Sequence, residues 1–567
     1  MSEQLKQLIN KHQTTLSAAI EAIRTRHNWS PFQDSPSSKF HGEEKPKAGK
    51  AAFVARCHRP FDLKLPGIND WVGAEVSPFT QEPLGITYPA CDPQAIIAAA
   101  KAAAPQWAKT TAETRLAVCV EMTEQLYARN FEMAHAIMHV AGQSYTQAFS
   151  GSGPNALDRG LEALAYAAEA MRHVPASATY SRNFAGEQVL LTKTYNLIPR
   201  GIGLVICCAS FPTWNAYPSM FASLATGNPV IIKPHPNAIL PMAIAVEICR
   251  EVLEKFGFDA NLITLAVDTP SKPIAMTYIE NPAVQIIDFT GSPRFGSYLE
   301  STVKDKLLFT ETAGVNSVVV ASVDNLQESM RAIARGTSLF SAQMCTSPQV
   351  VYVPKEGIAT GTGTVSFDDV AQTLVNEIEA IASNAKMAAA IMGAIQGQVS
   401  LNVVASAHEQ AQAKGLRILR EASPYQHPDF PNARTLSPLV IATTPEHQEM
   451  YAQECFGPVL FIVATEDADA AAYEATELAR TKGTISCYMY ATDDVYVDRW
   501  LDAYAQAGAN LTLNLTGPMW INFAAAYSDY HVTGLNPAGN ACLADLAFVS
   551  ARFRIVQHRR PTTGAAS

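Results

Sequence analysis

Ten cysteines are scattered at positions 57, 91, 119, 207, 208, 249, 345, 455, 487 and 542. The only close pair is Cys207-Cys208 and no C-x-x-C occurs, so their spacing offers neither a zinc cage nor a disulfide framework and points to no metal. Thiols spaced this way are mostly small buried hydrophobes in a reducing compartment, which leaves one of them free to serve as a nucleophile. Polar residues that could work with a thiol gather where short apolar runs end. Asn215 lies in SFPTWNAYP (210–218), Lys233-Pro234 ends a second run, and FTGSPRFG (289–296) ends a third. Glu311 follows in ETAG, Cys345 comes 34 residues later in AQMCTSPQ, and QECFGPV brings Glu454 and Phe456.

The elements that must position these residues can be read from periodicity. Leu5, Leu8, Ile9, Leu16, Ile20 and Ile23 recur at helical spacing over 5–23, and the Pro-, Ser- and aromatic-rich stretch from 28 to about 90 reads as irregular chain. Regular helices begin near Asp92. Thr110 and Glu113 form a capping-box pattern, residues 160–173 read as helix, and 176–200 reads as a projecting polar hairpin. From 202 the pattern changes. IGLVICC (202–208), PVIIKP (229–234), LITLAV (262–267) and VQIIDFTG (284–291) alternate with helical patterns near 218–226, 238–256 and 271–280. Short β-branched strands between helices predict a parallel sheet covered on both faces. A second series runs through KLLFTETAG (306–314), SVVVAS (317–322), a helix at 325–340, VVYVP (350–354), a helix at 367–383, VLFIVA (459–464) and a helix at 468–480. The one local G-x-G, Gly201-x-Gly203, precedes its strand and lacks a third glycine, so it reads as a turn and not as a dinucleotide phosphate loop.

Length and composition bound the rest. At about 150 residues per domain, 567 residues predict three to four units. Hydrophobic residues at 48% and charged residues at 17% are ordinary for a globular chain. A net charge of −10 provides no basic field for nucleic acid. No apolar run is long enough to span a membrane, and the polar start MSEQLKQLINKHQTTL is not a signal peptide, so a cytoplasmic location is expected.

Taken in order, the motifs resemble the aldehyde dehydrogenase superfamily. The series is Trp-Asn, Gly-Asn-x-Val-Ile-x-Lys-Pro, Phe-Thr-Gly-Ser-x-x-x-Gly, Glu-x-x-Gly, Gln-x-Cys and Glu-x-Phe-Gly-Pro, and the interval from Glu311 to Cys345 agrees as well. The resemblance covers about 85–545. Within it, the N-terminal extension, TWNAYPSMFASLATGN (213–228), KPHPNAILP (233–241), IIDFTGS (286–292) and GLNPAGNA (534–541) are similar to the phenylacetate-degradation PaaN group, while AGQSY (141–145) and the 513–530 segment depart from it.

The resemblance implies an α/β fold of two doubly wound domains plus a β oligomerisation arm. Its expected units are an N-terminal extension (1–90), a nucleotide-binding domain (91–305) carrying the 176–200 arm, a thiol domain (306–505), and a return segment with a C-terminal arm (506–567). It also implies roles. Cys345 attacks an aldehyde carbonyl, because a bare aldehyde is a poor hydride donor and a thiohemiacetal is a good one. Glu311 is the general base. Asn215 and the Cys345 backbone N–H stabilise the oxyanion, and Trp214 is packing. Lys233 meets the adenosine ribose. Ser292, with the helix start after Gly291, meets the pyrophosphate. Glu454 holds the nicotinamide ribose, and Phe456 packs beside the nicotinamide. The cofactor is NADP or NAD, with NADP favoured because Pro236 stands where NAD-preferring members carry a glutamate. Ala313 and Ala342 each add a methyl where glycine is commoner.

The implied reaction is oxidation of an aldehyde to a free acid, since members that pass the acyl group to coenzyme A generally lack a base at Glu311. The substrate is an aliphatic semialdehyde of phenylacetate breakdown, free or carried as a coenzyme A thioester. The alternatives are a coenzyme A-acylating dehydrogenase and a catalytically silent member. The short stretch after Asp545 leaves no room for an additional hydratase-like domain. FRIVQHRRPTT reads as an edge strand that, with the 176–200 arm, is expected to pair with a partner subunit by strand addition, and the resemblance implies a homodimer or a dimer of dimers.

Overall fold

The computed structural model describes residues 2–312 and 314–562, so Ala313 lies outside the described residues. The first helix, Glu3–Thr25, is capped by Ser2 and buries Leu8, Ile20 and Ile23. The stretch expected to be irregular contains another helix, Glu44–Arg56. Its sequence, EKPKAGKAAFVAR, has no apolar stripe, which hides it from periodicity. Packing holds it instead. Gly49 sits so close to Phe131 that a Cβ would lie 2.3 Å from the Phe131 Cβ. Phe53 stacks on His139, and Arg56 forms ion pairs with Glu132 and Glu247 at 2.6 Å each. The capping residue read as Thr110 is Thr111, whose hydroxyl accepts from the Thr114 N–H, while Thr110 ends the preceding helix.

Two sheets form the body. The first is fully parallel, in the order Ile263–Leu265, Val230–Lys233, Ile202–Ile206, Val284–Gly291, Leu307–Thr312. The last strand corrects the sequence reading, which assigned it to the second series. It pairs in parallel along Val284–Gly291, so the boundary between the sheets falls after Thr312. Gly201 has φ 145° and makes the turn into Ile202, while Gly203 lies within that strand.

The second sheet has seven strands, in the order Arg417–Arg420, Leu439–Thr443, Val459–Thr465, Pro348–Pro354, Asn316–Val320, Ser486–Tyr490, Asn510–Leu513. Only Arg417–Arg420, at one edge, runs antiparallel to its neighbour. Periodicity reveals the strands of the middle and misses four others: RILR and NLTL are short and half-polar, SCYMY carries no β-branched residue, and LVIAT is a five-residue apolar run with no helical pattern read beside it. The central strands are buried on both faces, which is why they read as unbroken valine and isoleucine runs.

The arm is a three-stranded antiparallel sheet, Phe553–Pro561, Glu187–Pro199, Ser177–Phe184. Ala185 and Gly186 close its hairpin, both at positive φ (51° and 94°), as a two-residue hairpin loop requires. The C-terminal strand therefore pairs with the arm of its own chain.

Two contacts tie the C-terminal stretch to the first sheet. Arg552, fully buried, grips Asp288 of strand Val284–Gly291 with two hydrogen bonds of 2.6 and 2.9 Å. Residues 538–540 run along strand Leu307–Thr312. The Thr312 N–H donates to the Ala538 carbonyl at 2.7 Å, and the Asn540 side chain bonds both Thr310 N–H and Leu308 carbonyl. Among the described residues no helix is long and apolar enough to cross a membrane.

Candidate active site

The last residues of the first sheet, the chain before strand Pro348–Pro354, and the C-terminal stretch meet at one cluster. Glu311 and Asn215 are almost fully buried, and Cys345 is half-buried. Asn215 Nδ2 donates to Glu311 Oε1 at 2.8 Å. The Cys208 thiol faces Asn215 Oδ1 at 3.7 Å, which orients the amide with its nitrogen towards Glu311. That nitrogen carries two protons, so one remains to meet an oxyanion.

His531 completes the cluster, and sequence reasoning missed it. Its Nε2 lies 3.1 Å from Glu311 Oε1 and 3.8 Å from Cys345 Sγ, and its side chain is 2% exposed. Trp214 packs edge-on against the His531 ring at 4.6 Å, and the Asn510 amide holds the His531 carbonyl at 2.6 Å. Trp214 therefore packs, as expected, but against a residue of the site. His531 follows the 513–530 segment that departs from the family pattern, and no spacing rule links it to Cys345, 186 residues away. The available signal was GLNPAGNA just downstream. Gly539 there must lack a side chain, since a Cβ would lie 2.6 Å from the Thr310 carbonyl oxygen. Asn536 ties the same loop to Thr484 and Gly508.

The approach to Cys345 is held in an uncommon conformation. Phe340, Ser341 and Ala342 all have positive φ (51°, 48° and 53°), which for non-glycine residues persists only under strong constraint. Ser341 Oγ donates to the Met392 carbonyl, and Gln343 bonds Ala394 and Gln396 on the same neighbouring loop. Ala342 thus occupies a left-handed position that glycine would fill without steric cost. On the other side of Cys345, Asn316 Nδ2 donates to the Cys345 and Ser347 carbonyls, while its Oδ1 accepts from Thr484, Ile485 and Ser486.

Burial, followed by the nearby Glu311 carboxylate, pushes the Cys345 thiol well above its ordinary range, with Cys208 and Glu454 adding to the effect. The thiol is therefore a poor nucleophile until a base takes its proton, and the Glu311–His531 pair is within reach to do so. Cys345 opens on a cleft of about 100 Å³. Phe211, Trp214, Leu339, Met344, Trp520 and Phe523 form its apolar wall, and Asn155 and Asn522 are polar points within it. No lysine, arginine, aspartate or glutamate lines it among the described residues.

The residues assigned to a cofactor fall in two places. Lys233, Gly291 and Ser292 stand at strand ends of the first sheet. Ser292 caps the ten-residue helix Pro293–Thr302 and accepts from the Phe295 N–H, and Pro293 at its first position brings no donor of its own. The Phe289 ring occupies the space where a Gly291 Cβ would go. Lys233 Nζ is bound to Asp268 at 2.6 Å and to the Pro234 carbonyl at 3.1 Å. Position 236 lacks a carboxylate, yet Asp268 supplies one to the same ammonium from the end of the neighbouring strand. A helix start beside a buried cation suits a dinucleotide, with pyrophosphate at the helix and ribose at the lysine. Glu454 and Phe456 line a second recess together with Ala342, Met344 and Gln349, on the thiol side. Gln349 fixes that loop through Tyr451, Gln453 and the Cys455 N–H. Burial raises Glu454 to about 7.

A family model described as the aldehyde dehydrogenase family matches residues 72–508. A crystal structure of an NAD-dependent aldehyde dehydrogenase from Burkholderia multivorans is similar over 98% of this chain and 99% of that one, with a TM-score of 0.95 and 41% identity. An aldehyde dehydrogenase-like protein of Saccharomyces cerevisiae is 26% identical over 48% of this chain, which spans only 42% of that protein's length. A protein of Mycobacterium tuberculosis named as an NADP(+) succinate-semialdehyde dehydrogenase is 26% identical over 70% of this chain and 72% of its own length.

Proposed function

The chain belongs to the aldehyde dehydrogenase family, and on that premise we propose that it oxidises an aldehyde with a neutral, apolar body to the carboxylic acid, using NAD or NADP. The observation that carries this reading is the convergence of Cys345, Glu311, Asn215 and His531 at the mouth of one apolar cleft.

Cys345 attacks the carbonyl carbon as its proton passes to the Glu311–His531 pair. The Asn215 amide proton not used by Glu311 and the Cys345 backbone N–H meet the developing alkoxide. The nicotinamide, when bound, supplies the acceptor that turns the thiohemiacetal into a thioester on Cys345. Lys233, the helix start at Ser292, and Glu454 with Phe456 would hold the dinucleotide. Glu311 then takes a proton from water, which attacks the thioester and releases the acid and the thiol. A buried carboxylate in contact with both Asn215 and His531 favours this hydrolysis over transfer to coenzyme A.

The cleft also bears on substrate class. A free dicarboxylic semialdehyde carries a carboxylate, and apart from His531 at the reacting end the cleft lining offers no lysine or arginine to meet it. A semialdehyde whose far acid is masked as a coenzyme A thioester is neutral along the part that enters. This supports a coenzyme A-linked semialdehyde as substrate; its place in phenylacetate breakdown, and a homodimer or dimer of dimers in the cytoplasm, rest on the resemblance of the sequence motifs alone.

The test is a panel of aldehydes, neutral, acidic and coenzyme A-linked, run with NAD and with NADP and with product identification. Free acid as product, kcat/KM higher for neutral or thioester-masked aldehydes than for succinate semialdehyde, and acyl-enzyme mass on Cys345 are expected. A requirement for free coenzyme A, with a new thioester as product, would overturn hydrolysis. Absence of any adduct on Cys345 would point to a silent member.

A further inference from the structure

Three side chains with different ligand chemistry face one another at the mouth of the cleft. Cys345 Sγ, His531 Nε2 and a Glu311 carboxylate oxygen all lie within 4.8 Å of one another. Sulfur, imidazole nitrogen and carboxylate oxygen are the donors that Zn²⁺ takes. Tetrahedral bonds to them imply separations of about 3.6 Å between sulfur and nitrogen and about 3.4 Å between nitrogen and oxygen. The structure has 3.8 Å and 3.1 Å. Each of these two separations is within a few tenths of an ångström of that geometry, and the sulfur-to-oxygen separation, no more than 4.8 Å, closes on about 3.6 Å as the side chains turn to the ion.

Two further observations point to a ligand. Glu311 Oε2 and His531 Nδ1 are buried and have no hydrogen-bond partner, although Glu311 Oε1 is shared by Asn215 and His531. The carboxylate therefore brings Oε1 next to Nε2 and keeps a second, unused anionic oxygen in Oε2, and Nδ1 can carry the ring proton while Nε2 offers its lone pair. The charged groups acting on the thiol, Glu311 and Glu454, are both acidic. A divalent cation would reverse that field.

We propose that Cys345, His531 and Glu311 form an inhibitory site for Zn²⁺, with the fourth corner open to the cleft. On binding, the thiol proton leaves to solvent, the imidazole proton moves from Nε2 to Nδ1, and the sulfur lone pair that would attack the aldehyde is committed to the metal. An outer acceptor for the metal-bound histidine normally tightens such a site about 10- to 100-fold. The unpartnered Nδ1 lacks one, so the ion is exchangeable and a chelator restores the free thiol. Cysteine spacing gives no hint of the site, because its ligands come from 311, 345 and 531.

The test is a Co²⁺ titration of the reduced full-length protein, alongside Cys345→Ser and His531→Gln. The wild-type spectrum minus that of Cys345→Ser should show a thiolate-to-cobalt charge-transfer band, with the intense visible bands of tetrahedral cobalt and one ion per chain. Zn²⁺ should displace the cobalt, and His531→Gln should weaken binding at least about tenfold. A second measurement needs no variant: Zn²⁺ should slow carbamidomethylation of Cys345, followed by peptide mass, and a chelator should restore the rate. A flat difference spectrum, an unchanged alkylation rate at saturating Zn²⁺, or wild-type affinity in a folded His531→Gln would each overturn the proposal. None of these readouts uses turnover, so the metal site and the aldehyde reaction stand or fall separately.

Discussion

Replacing Gly539 by alanine tests whether the C-terminal stretch builds the site or merely covers it. The backbone at 539 is not in the left-handed region, so an added Cβ raises only a question of space. That Cβ would lie 2.6 Å from the Thr310 carbonyl oxygen and 2.7 Å from Val532 Cγ1, where ordinary contact begins at 3.4 Å. The two segments must part by roughly 0.8 Å if neither side chain nor carbonyl can turn away. The bond from Thr312 N–H to the Ala538 carbonyl, now 2.7 Å, then stretches past good hydrogen-bond length, and the two Asn540 bonds weaken with it. At about 1 kcal/mol each, the loss is about 1–3 kcal/mol, a fall in Tm of a few degrees for a chain this long. The functional loss should be larger. The same segment carries His531 against Glu311 Oε1, and a misplacement of about 1 Å at reacting groups costs about 100-fold in rate. Steady-state kcat/KM with a neutral aldehyde, together with a thermal melt, reads both. A Gly539→Ala enzyme with lowered Tm and wild-type kcat would refute the reasoning, because the stretch would then contribute stability alone.

Glu311→Gln should still release the first equivalent of reduced cofactor but slow turnover about 100-fold or more, with acyl-enzyme mass accumulating on Cys345; unchanged turnover would remove Glu311 from hydrolysis. Asp268→Asn takes away the carboxylate that faces Lys233 and should raise the ratio of kcat/KM for NADP over NAD roughly tenfold. An unmoved ratio would mean that the ribose does not lie there. Glu454, raised to about 7 by burial, binds its proton more tightly folded than unfolded. The stability this contributes is complete below its unfolded value and is lost as pH rises through about 7. The Tm of cofactor-free Glu454→Gln should therefore gain on wild type between about pH 5 and about pH 8, and a constant difference would contradict the assignment.

What was legible in the sequence, and what was not, follows from how each residue is held. Cys345, Glu311 and Asn215 each sit at or next to the end of an element whose apolar run announces itself, so their order along the chain was enough to find them. Lys233 and Ser292 stand at the ends of strands that announce themselves in the same way. His531 belongs to no element. It is positioned by contacts with Trp214, Asn510 and the stretch around Gly539, all far from it or irregular in conformation, and no period of 2 or 3.6 encodes such a placement. The same limit explains Asp268. Position 236 alone suggested a ribose site without a carboxylate, because a local motif cannot show that the end of the neighbouring strand delivers one to Lys233. It also explains strand Leu307–Thr312. Its residues fit either sheet by pattern, and pairing along Val284–Gly291 decides which. That pairing has a functional consequence. It places Glu311 on the first sheet and Cys345 before a strand of the second, so carboxylate and thiol approach across the line between the two sheets. The C-terminal return, clamped by Arg552 on Asp288, brings His531 into contact with both.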